Sequence, residues 1–138
     1  MSNISGVSHV DLTVSDLESS ETWYQNLLGA VRVLNGMNDE RGFVFSYLLE
    51  PKSRTILGLV QHNAQDGADF SHLRCGLDHL SFAVESRAEL EAWLPRLDEL
   101  EIKHGAIDEQ AVGDGVSFQD PDGIALEFYF LRTAVPAS

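Results

Sequence analysis

Two short stretches of this sequence, GVSHVDLTV at residues 6–14 and GLDHLSFAV at residues 76–84, align with each other without a gap. The alignment continues beyond them, and five identities share one offset of 70 residues: Gly6 with Gly76, His9 with His79, Val14 with Val84, Trp23 with Trp93, and Leu27 with Leu97. Chance can supply one or two such matches, but five at a single offset indicate an internal duplication. The sequence therefore predicts two copies of one structural unit.

Each copy opens with residues that alternate in polarity with a period of two, which is typical of a β-strand. In the first copy, His9, Asp11 and Thr13 share one face of the strand, and three apolar residues share the other. In the second copy, His79 and Ser81 lie on the polar face. We expect the apolar face of each strand to pack beneath a helix, so that the polar faces can line a cleft.

A helical pattern follows each opening strand. Ser15 or Asp16 is expected to cap the first helix, which ends at Gly29. Ser86 is expected to cap the second helix, and leucine and tryptophan residues form an apolar stripe along each one. Pro95 lies inside the second helix and is expected to kink or break it.

Three strands are predicted after each helix, which makes each copy a βαβββ module with one sheet and an outer helix. Their expected bounds are 30–37, 43–50 and 55–62 in the first copy and 103–107, 116–120 and 124–131 in the second. The sequence DPDG at 120–123 predicts a type I turn before the last strand. The organisation is then a module at 5–62, a linker at 63–74 and a module at 75–131.

The overall composition excludes several classes of partner. The 138 residues include 9 Lys and Arg against 22 Asp and Glu, which gives a formal net charge of −13. We therefore expect no nucleic-acid partner, which would need a basic face, and no docking on anionic membranes. The sequence has no apolar run of about 18 residues and no secretory signal pattern. The single cysteine, Cys75, excludes an intrachain disulfide, and we expect a cytoplasmic protein.

Three residues form a candidate metal site. His9 and His79 hold equivalent positions on the opening strands, and Glu127 lies in the middle of the apolar strand IALEFYF. A carboxylate in that position carries a large desolvation cost unless it is paired or coordinated. Two imidazoles and one carboxylate form a donor set that suits Fe²⁺, Mn²⁺, Zn²⁺, Ni²⁺ or Co²⁺. The alternatives are hydrogen-bonded strand histidines and a Glu127 that pairs with an arginine.

The duplicated histidine-containing opening and the closing FQDPDGIALEFY at 118–129 resemble the vicinal oxygen chelate superfamily. This superfamily includes glyoxalase I, extradiol dioxygenases, methylmalonyl-CoA epimerase, fosfomycin-resistance enzymes and bleomycin-resistance binding proteins. The resemblance covers residues 5–131 and implies one α+β domain over 1–138. In that domain the tandem βαβββ modules form an open, cup-shaped mixed sheet with helices outside. It also implies a homodimer and a divalent metal bound by His9, His79 and Glu127.

The fourth strand departs from part of that superfamily. Glyoxalase I and the epimerase resemble one another in a fourth ligand, Glu or Gln, in the middle of this strand, where the matching residue here is Gly58. The implied site therefore has three protein ligands, as in extradiol dioxygenases, instead of the four of glyoxalase I. Asp11 stands where the fosfomycin-resistance enzymes have a threonine, and an acidic protein is a poor receptor for a phosphonate.

Two further residues are candidates for catalysis. His62 shares a strand face with Gly58, so we predict that it is a general acid or base beside the metal. The alternative is that it lies in solvent at the end of its strand. Tyr129, two residues after Glu127, is predicted to donate a hydrogen bond to an oxygen at the site or simply to pack.

The sequence supports two functions from different classes. The first is a divalent-metal-dependent enzyme of the glyoxalase or dioxygenase type, whose metal chelates two adjacent oxygens of a small-molecule substrate. The second is a binding protein that sequesters a small molecule or an antibiotic, as bleomycin-resistance proteins do. Because binding members of the superfamily often lack the ligand residues, their presence here favours the enzyme.

Overall fold

The computed structural model describes residues 2–132 and divides into two units, of which the first extends to Ala68 and the second begins at Asp69. Each unit contains one helix and one four-stranded mixed sheet, which confirms the α+β class with two βαβββ modules. The boundary falls inside the predicted linker. Neither helix described in the chain is long and apolar enough to cross a membrane.

The elements of the first unit are β1 (Val10–Thr13), α1 (Leu17–Leu28), β2 (Val31–Asn38), β3 (Phe43–Glu50) and β4 (Thr55–His62). The strands form a sheet with the order β1-β4-β3-β2. Strand β1 runs parallel to β4, and the other neighbouring pairs are antiparallel. The predicted bounds of β3 and β4 are confirmed to the residue, and β2 begins and ends one residue later than predicted.

The elements of the second unit are β5 (Leu80–Ala83), α2 (Arg87–Glu99), β6 (Asp108–Glu109), β7 (Gly113–Gln119) and β8 (Ala125–Leu131). The unit repeats the arrangement of the first, with the strand order β5-β8-β7-β6. The predicted strand at 103–107 is wrong, because His104 makes only an isolated bridge to Phe118 and the two-residue β6 follows later. Strand β7 begins three residues earlier than predicted, because its glycines pair with β8.

The ends of the helices follow the predicted caps. The side chain of Asp16, and not that of Ser15, accepts a hydrogen bond of 3.0 Å from the backbone N–H of Ser19 at the start of α1. Ser86 caps α2 in the same way. Gly29 has φ +65°, the left-handed conformation that ends α1. These caps satisfy backbone groups that the helix ends would otherwise leave without a partner.

Helix α2 continues through Pro95, so the predicted break does not occur. A proline in a helix interior removes one backbone hydrogen bond and crowds the carbonyl four residues before it. Here Leu90 and Leu97, both 0% exposed, anchor the helix on either side of the proline. Burial of two leucines contributes about 3–6 kcal/mol, which is enough to offset that cost.

Along the opening strands and the last strand, side chains alternate between the core and the opposite face, as the polarity pattern predicts. Leu12 on β1 and Leu126 and Phe128 on β8 are buried, at 5%, 1% and 2% exposure. Asp11 is exposed, and Glu127 is half-buried on the opposite face of its strand. The two opening strands and the last strand therefore carry their polar side chains on the face that is not packed beneath the helix.

An ion pair between a buried glutamate and an exposed arginine joins α1 to the sheet of the first unit. Arg32 donates to both carboxylate oxygens of Glu21, with 3.0 Å between its Nε and Oε2, and Ser46 donates its hydroxyl to the same Oε2. The hydrogen bonds from Arg32 lower the pKa of Glu21, and the bond from Ser46 adds to this effect, although burial opposes it. The ionised carboxylate therefore stabilises the folded state.

We expect Glu21→Gln to make the protein less stable at neutral pH and less sensitive to acid. The folded pKa lies below the ordinary value of 4.5, so the contribution is complete above that pH and is lost as the pH falls through the folded pKa. The variant should lose about 1–3 kcal/mol in free energy of unfolding at pH 7. Urea titrations of both proteins over a pH series measure this, and parallel pH profiles would contradict the prediction.

Candidate metal centre

Two of the three predicted ligands lie together in the second unit. His79 immediately precedes β5, and Glu127 lies in the middle of β8, the neighbouring parallel strand. The Nε2 atom of His79 is 3.8 Å from Oε1 of Glu127. Since a ligand atom lies about 2.1 Å from a transition-metal ion, two ligands of one ion are at most about 4.2 Å apart. The spacing of this pair fits a shared ion.

The carboxylate of Glu127 is held in place by its own unit. Its side chain is only 13% exposed, and Ser81 on the adjacent strand donates a hydrogen bond of 2.7 Å to Oε1. The other oxygen faces Gly115, where a Cβ atom would lie 2.9 Å from Oε2. Sequence reasoning did not single out Ser81 or Gly115 as site residues, because pairing between strands β5, β7 and β8 brings them to Glu127.

In both predicted histidine ligands, His9 and His79, the Nδ1 atom forms a hydrogen bond with the side chain of the preceding residue. His79 Nδ1 shares a hydrogen bond of 2.6 Å with Asp78, and His9 Nδ1 shares one of 3.0 Å with Ser8. A hydrogen bond at one ring nitrogen fixes the orientation of the imidazole and leaves the other nitrogen for a metal. The repeat contains the signal for this, since positions 8 and 78 are equivalent at the offset of 70 residues.

His79 and Glu127 line a cavity of about 370 Å³ within the second unit. Its wall also includes His72, which precedes β5 in the segment predicted as linker, and Ser117 and Gln119 from β7. A volume of this size suits a small molecule. The cavity therefore places an imidazole and a carboxylate where a small ligand can reach them.

The remaining predicted ligand, His9, lies in the first unit, where it also has a carboxylate neighbour. Its Nε2 atom is 3.8 Å from Oδ1 of Asp11, and its ring meets that of Tyr47 edge-on at 5.7 Å. Tyr47 donates a hydrogen bond of 3.3 Å to Oδ2 of Asp11. Burial and the neighbouring carboxylate raise the pKa of the Tyr47 phenol, which keeps it protonated as a donor.

The structure does not place His62 beside His9. His62 ends β4 with an exposed side chain, and its ring lies 5.5 Å from that of Phe43. Phe43, Phe45 and Tyr47 form a continuous series of ring contacts along β3, which we call the aromatic row. His9 contacts one end of this row and His62 the other.

Tyr129 lies on the same strand face as Glu127, two residues further along β8. Its ring covers Gly113 and Gly115 on β7, and its hydroxyl donates a hydrogen bond of 3.4 Å to Oε1 of Gln110. The tyrosine thus has a fixed position next to the carboxylate of Glu127. The glycines of β7 provide the space for its ring.

Each unit brings together one imidazole and one carboxylate, which are donors that suit a divalent ion. Neither unit, over its part of residues 2–132, holds by itself three His, Cys, Asp or Glu side chains arranged to bind a metal. The first unit brings together His9 and Asp11, and the second brings together His79 and Glu127. Imidazole and carboxylate donors without thiolate match Fe²⁺, Mn²⁺, Zn²⁺, Ni²⁺ and Co²⁺.

Comparison with known proteins identifies the family to which this chain belongs. A sequence model of the Glyoxalase/Bleomycin resistance protein/Dioxygenase superfamily matches residues 6–128. A glyoxylase/bleomycin resistance protein/dioxygenase domain from Frankia sp. EAN1pec is similar at 35% identity and a TM-score of 0.85, over 94% of this chain and 100% of that one. The chain belongs to this superfamily, and the resemblance inferred from the repeated motifs is confirmed.

Two further structures share the fold at lower identity. A glyoxalase family protein from Enterococcus faecalis is 24% identical with a TM-score of 0.73, over 91% of this chain and 97% of that one. The fosfomycin resistance protein FosX from Listeria monocytogenes, in complex with Mn(II) and sulfate, is 19% identical with a TM-score of 0.65, over 93% of each chain. At these identities the comparison supports the architecture of paired βαβββ units.

Proposed function

We propose that this protein is a divalent-metal-dependent enzyme that acts on a small molecule with two adjacent oxygens. The proposed ligands are His9, His79 and Glu127. The observation that carries the proposal is the His79–Glu127 pair, 3.8 Å apart at the wall of a 370 Å³ cavity. The Mn(II) complex of FosX, a protein of the same fold, supports it. When bound, a divalent metal acts as a Lewis acid that stabilises negative charge on substrate oxygens.

The residues around the ligands prepare them for this role. Asp78 orients the ring of His79, and Ser81 fixes the carboxylate of Glu127. We infer that Tyr129 can donate a hydrogen bond to a substrate oxygen, because within residues 2–132 its hydroxyl bonds only to the side-chain amide of Gln110, at a long 3.4 Å. By motif position the site has three protein ligands, the number in extradiol dioxygenases, since Gly58 offers no side chain on the fourth strand.

Metal analysis of the untagged protein tests this function directly. About one divalent ion per chain is expected, and its removal with a chelator should abolish turnover. Aerobic reconstitution with Fe²⁺, Mn²⁺, Zn²⁺, Ni²⁺ or Co²⁺, followed by a screen of catechols, hemithioacetals and epoxides, identifies the metal and the reaction. Oxygen insertion needs a redox-active ion such as Fe²⁺, whereas isomerisation or addition needs only a Lewis acid such as Zn²⁺.

The proton-transfer role proposed for His62 depends on a substrate that extends along the aromatic row. We expect His62→Ala to lower kcat about 100-fold or more while the metal content stays unchanged, because loss of a general acid or base removes one proton transfer and no ligand. His104→Ala, which removes an imidazole from the second unit, is the control. Equal kcat values for His62→Ala and the wild type would show that this histidine moves no proton.

A second candidate is a binding protein that sequesters a small molecule. The aromatic row favours it, because three half-buried rings offer a stacking surface that needs no metal. The two functions differ in one measurable property. Ligand affinity that persists after chelation of the metal indicates the binding protein, and affinity lost with the metal indicates the enzyme.

We propose that the protein is cytoplasmic, forms a homodimer and has no nucleic-acid or membrane partner. A net charge of −13 supports the absence of those partners, since both carry negative charge. Sedimentation equilibrium measures the oligomeric state.

A further inference from the structure

The pairing of the strands defines which residues of the two units are structurally equivalent. In the first unit, Asp11 on β1 is the register partner of Gly58 on β4. In the second unit, Ser81 on β5 is the register partner of Glu127 on β8. Gly58 therefore corresponds to the ligand Glu127, and Asp11 corresponds to Ser81.

The space that a side chain at Gly58 would need is filled by Asp11. A Cβ atom at Gly58 would overlap Oδ1 of Asp11 and would lie 2.7 Å from Cε1 of Tyr47. The other oxygen of Asp11 accepts the hydrogen bond from the Tyr47 hydroxyl. The first unit thus keeps a carboxylate at the position of Glu127, but supplies it from the neighbouring strand.

This carboxylate has the same relation to its histidine as Glu127 has to His79. Oδ1 of Asp11 lies 3.8 Å from Nε2 of His9, and Oε1 of Glu127 lies 3.8 Å from Nε2 of His79. Both distances are below the limit of about 4.2 Å for two ligands of one ion. In each unit the histidine also has its Nδ1 engaged by the preceding side chain, so Nε2 remains for the metal.

We propose that Asp11 is a fourth protein ligand and binds the same ion as His9. This inference rests on the proposed function, because it extends the ligand set of the same metal site. Three protein ligands leave three positions on an octahedral ion, and Asp11 reduces them to two. Two positions are the number that two adjacent substrate oxygens need, and none then remains for dioxygen. The site is thereby suited to isomerisation or addition on a chelated substrate.

The direct test measures the affinity of the purified protein for Mn²⁺ alone. We expect Asp11→Asn and Asp11→Ser each to weaken Mn²⁺ binding at least about 10-fold, since even residues that only orient a ligand contribute that much. Asp39→Asn, in the turn between β2 and β3, removes the same charge at a distance from His9 and is the matched control. The electron paramagnetic resonance spectrum of bound Mn²⁺ gives a second measurement that does not depend on activity.

A transfer of the carboxylate to β4 tests the ligand role itself. By strand register, positions 11, 47 and 58 of the first unit are equivalent to Ser81, Ser117 and Glu127 of the second. The variant D11S/Y47S/G58E therefore carries the same three residue types at those positions. We expect it to bind Mn²⁺ more tightly than D11S/Y47S, because it restores one carboxylate to the site. Gly58→Ala keeps Asp11 but displaces its carboxylate, and should also weaken binding.

The outcomes separate this inference from the proposed function. Weaker Mn²⁺ binding in Asp11→Asn and Gly58→Ala, with recovery in D11S/Y47S/G58E, supports a fourth ligand. Wild-type affinity in Asp11→Asn, alongside loss of Mn²⁺ in His79→Ala, overturns the role of Asp11 and leaves the three-ligand site intact. A wild-type protein that binds no Mn²⁺, Fe²⁺, Zn²⁺, Ni²⁺ or Co²⁺ overturns both.

Discussion

His79→Ala is expected to release the metal and abolish turnover. The imidazole is the group that Asp78 orients and that lies 3.8 Å from the carboxylate of Glu127. Without it the second unit retains one of its two proposed ligands, Glu127, which is hydrogen-bonded to Ser81. Loss of a direct ligand should weaken the affinity for the metal by about 100-fold or more, because residues that only orient a ligand already contribute up to about 100-fold. Metal content after gel filtration and calorimetric titration with Mn²⁺ measure the change.

Two controls make this prediction specific to the proposed ligand. His104→Ala removes an imidazole that bonds to Asp98 in the same unit and should retain the metal. Glu127→Gln keeps the size of the side chain but removes its charge, and should lose metal as His79→Ala does. The enzyme proposal fails if the wild type is metal-free and binds its small molecule as tightly as His79→Ala does, a result that the sequestering function predicts.

The internal repeat carried most of the fold prediction. An offset of 70 residues predicts two modules with the same element order, and the period-two pattern shows which face of β1 and β5 is buried. Leu27 and Leu97, one of the repeated pairs, are 3% and 0% exposed, so this repeated apolar position belongs to the core. Local patterns of this kind are readable because they depend only on neighbours along the chain.

Contacts between distant segments could not be predicted in this way. That Asp11 fills the space beside Gly58 follows from the parallel register of β1 and β4, whose residues are 47 positions apart. The sequence therefore showed a missing ligand at Gly58 without showing which side chain lies there. The continuity of α2 through Pro95 likewise depends on packing against the sheet, which the local rule for proline does not include.

The glycines of β7 show how strand spacing decides the position of site residues. Gly113 lies against the carbonyl oxygen of Phe130 and the ring of Tyr129, and a Cβ atom would overlap both. At Gly115 the Cβ would meet only side chains, with Glu127 Oε2 at 2.9 Å and Tyr129 Cδ2 at 3.2 Å. The first substitution conflicts with backbone, which can move only if β7 and β8 separate, whereas the second conflicts with atoms that can rotate.

We therefore expect Gly113→Ala to reduce the free energy of unfolding by about 3 kcal/mol, and Gly115→Ala by about 1 kcal/mol. Gly105→Ala is the matched control, because its Cβ would meet nothing nearer than Ser117 O at 4.0 Å. Thermal denaturation should give a Tm about 10 °C lower for Gly113→Ala and little change for Gly105→Ala. Equal Tm values for these two variants would contradict the close approach of β8 to Gly113.

Gly115→Ala should also weaken Mn²⁺ binding, because the added Cβ atom displaces the carboxylate of Glu127. The loss of Mn²⁺ affinity should exceed what the small loss of stability accounts for. Gly113→Ala is expected to show the opposite balance, with a large loss of stability.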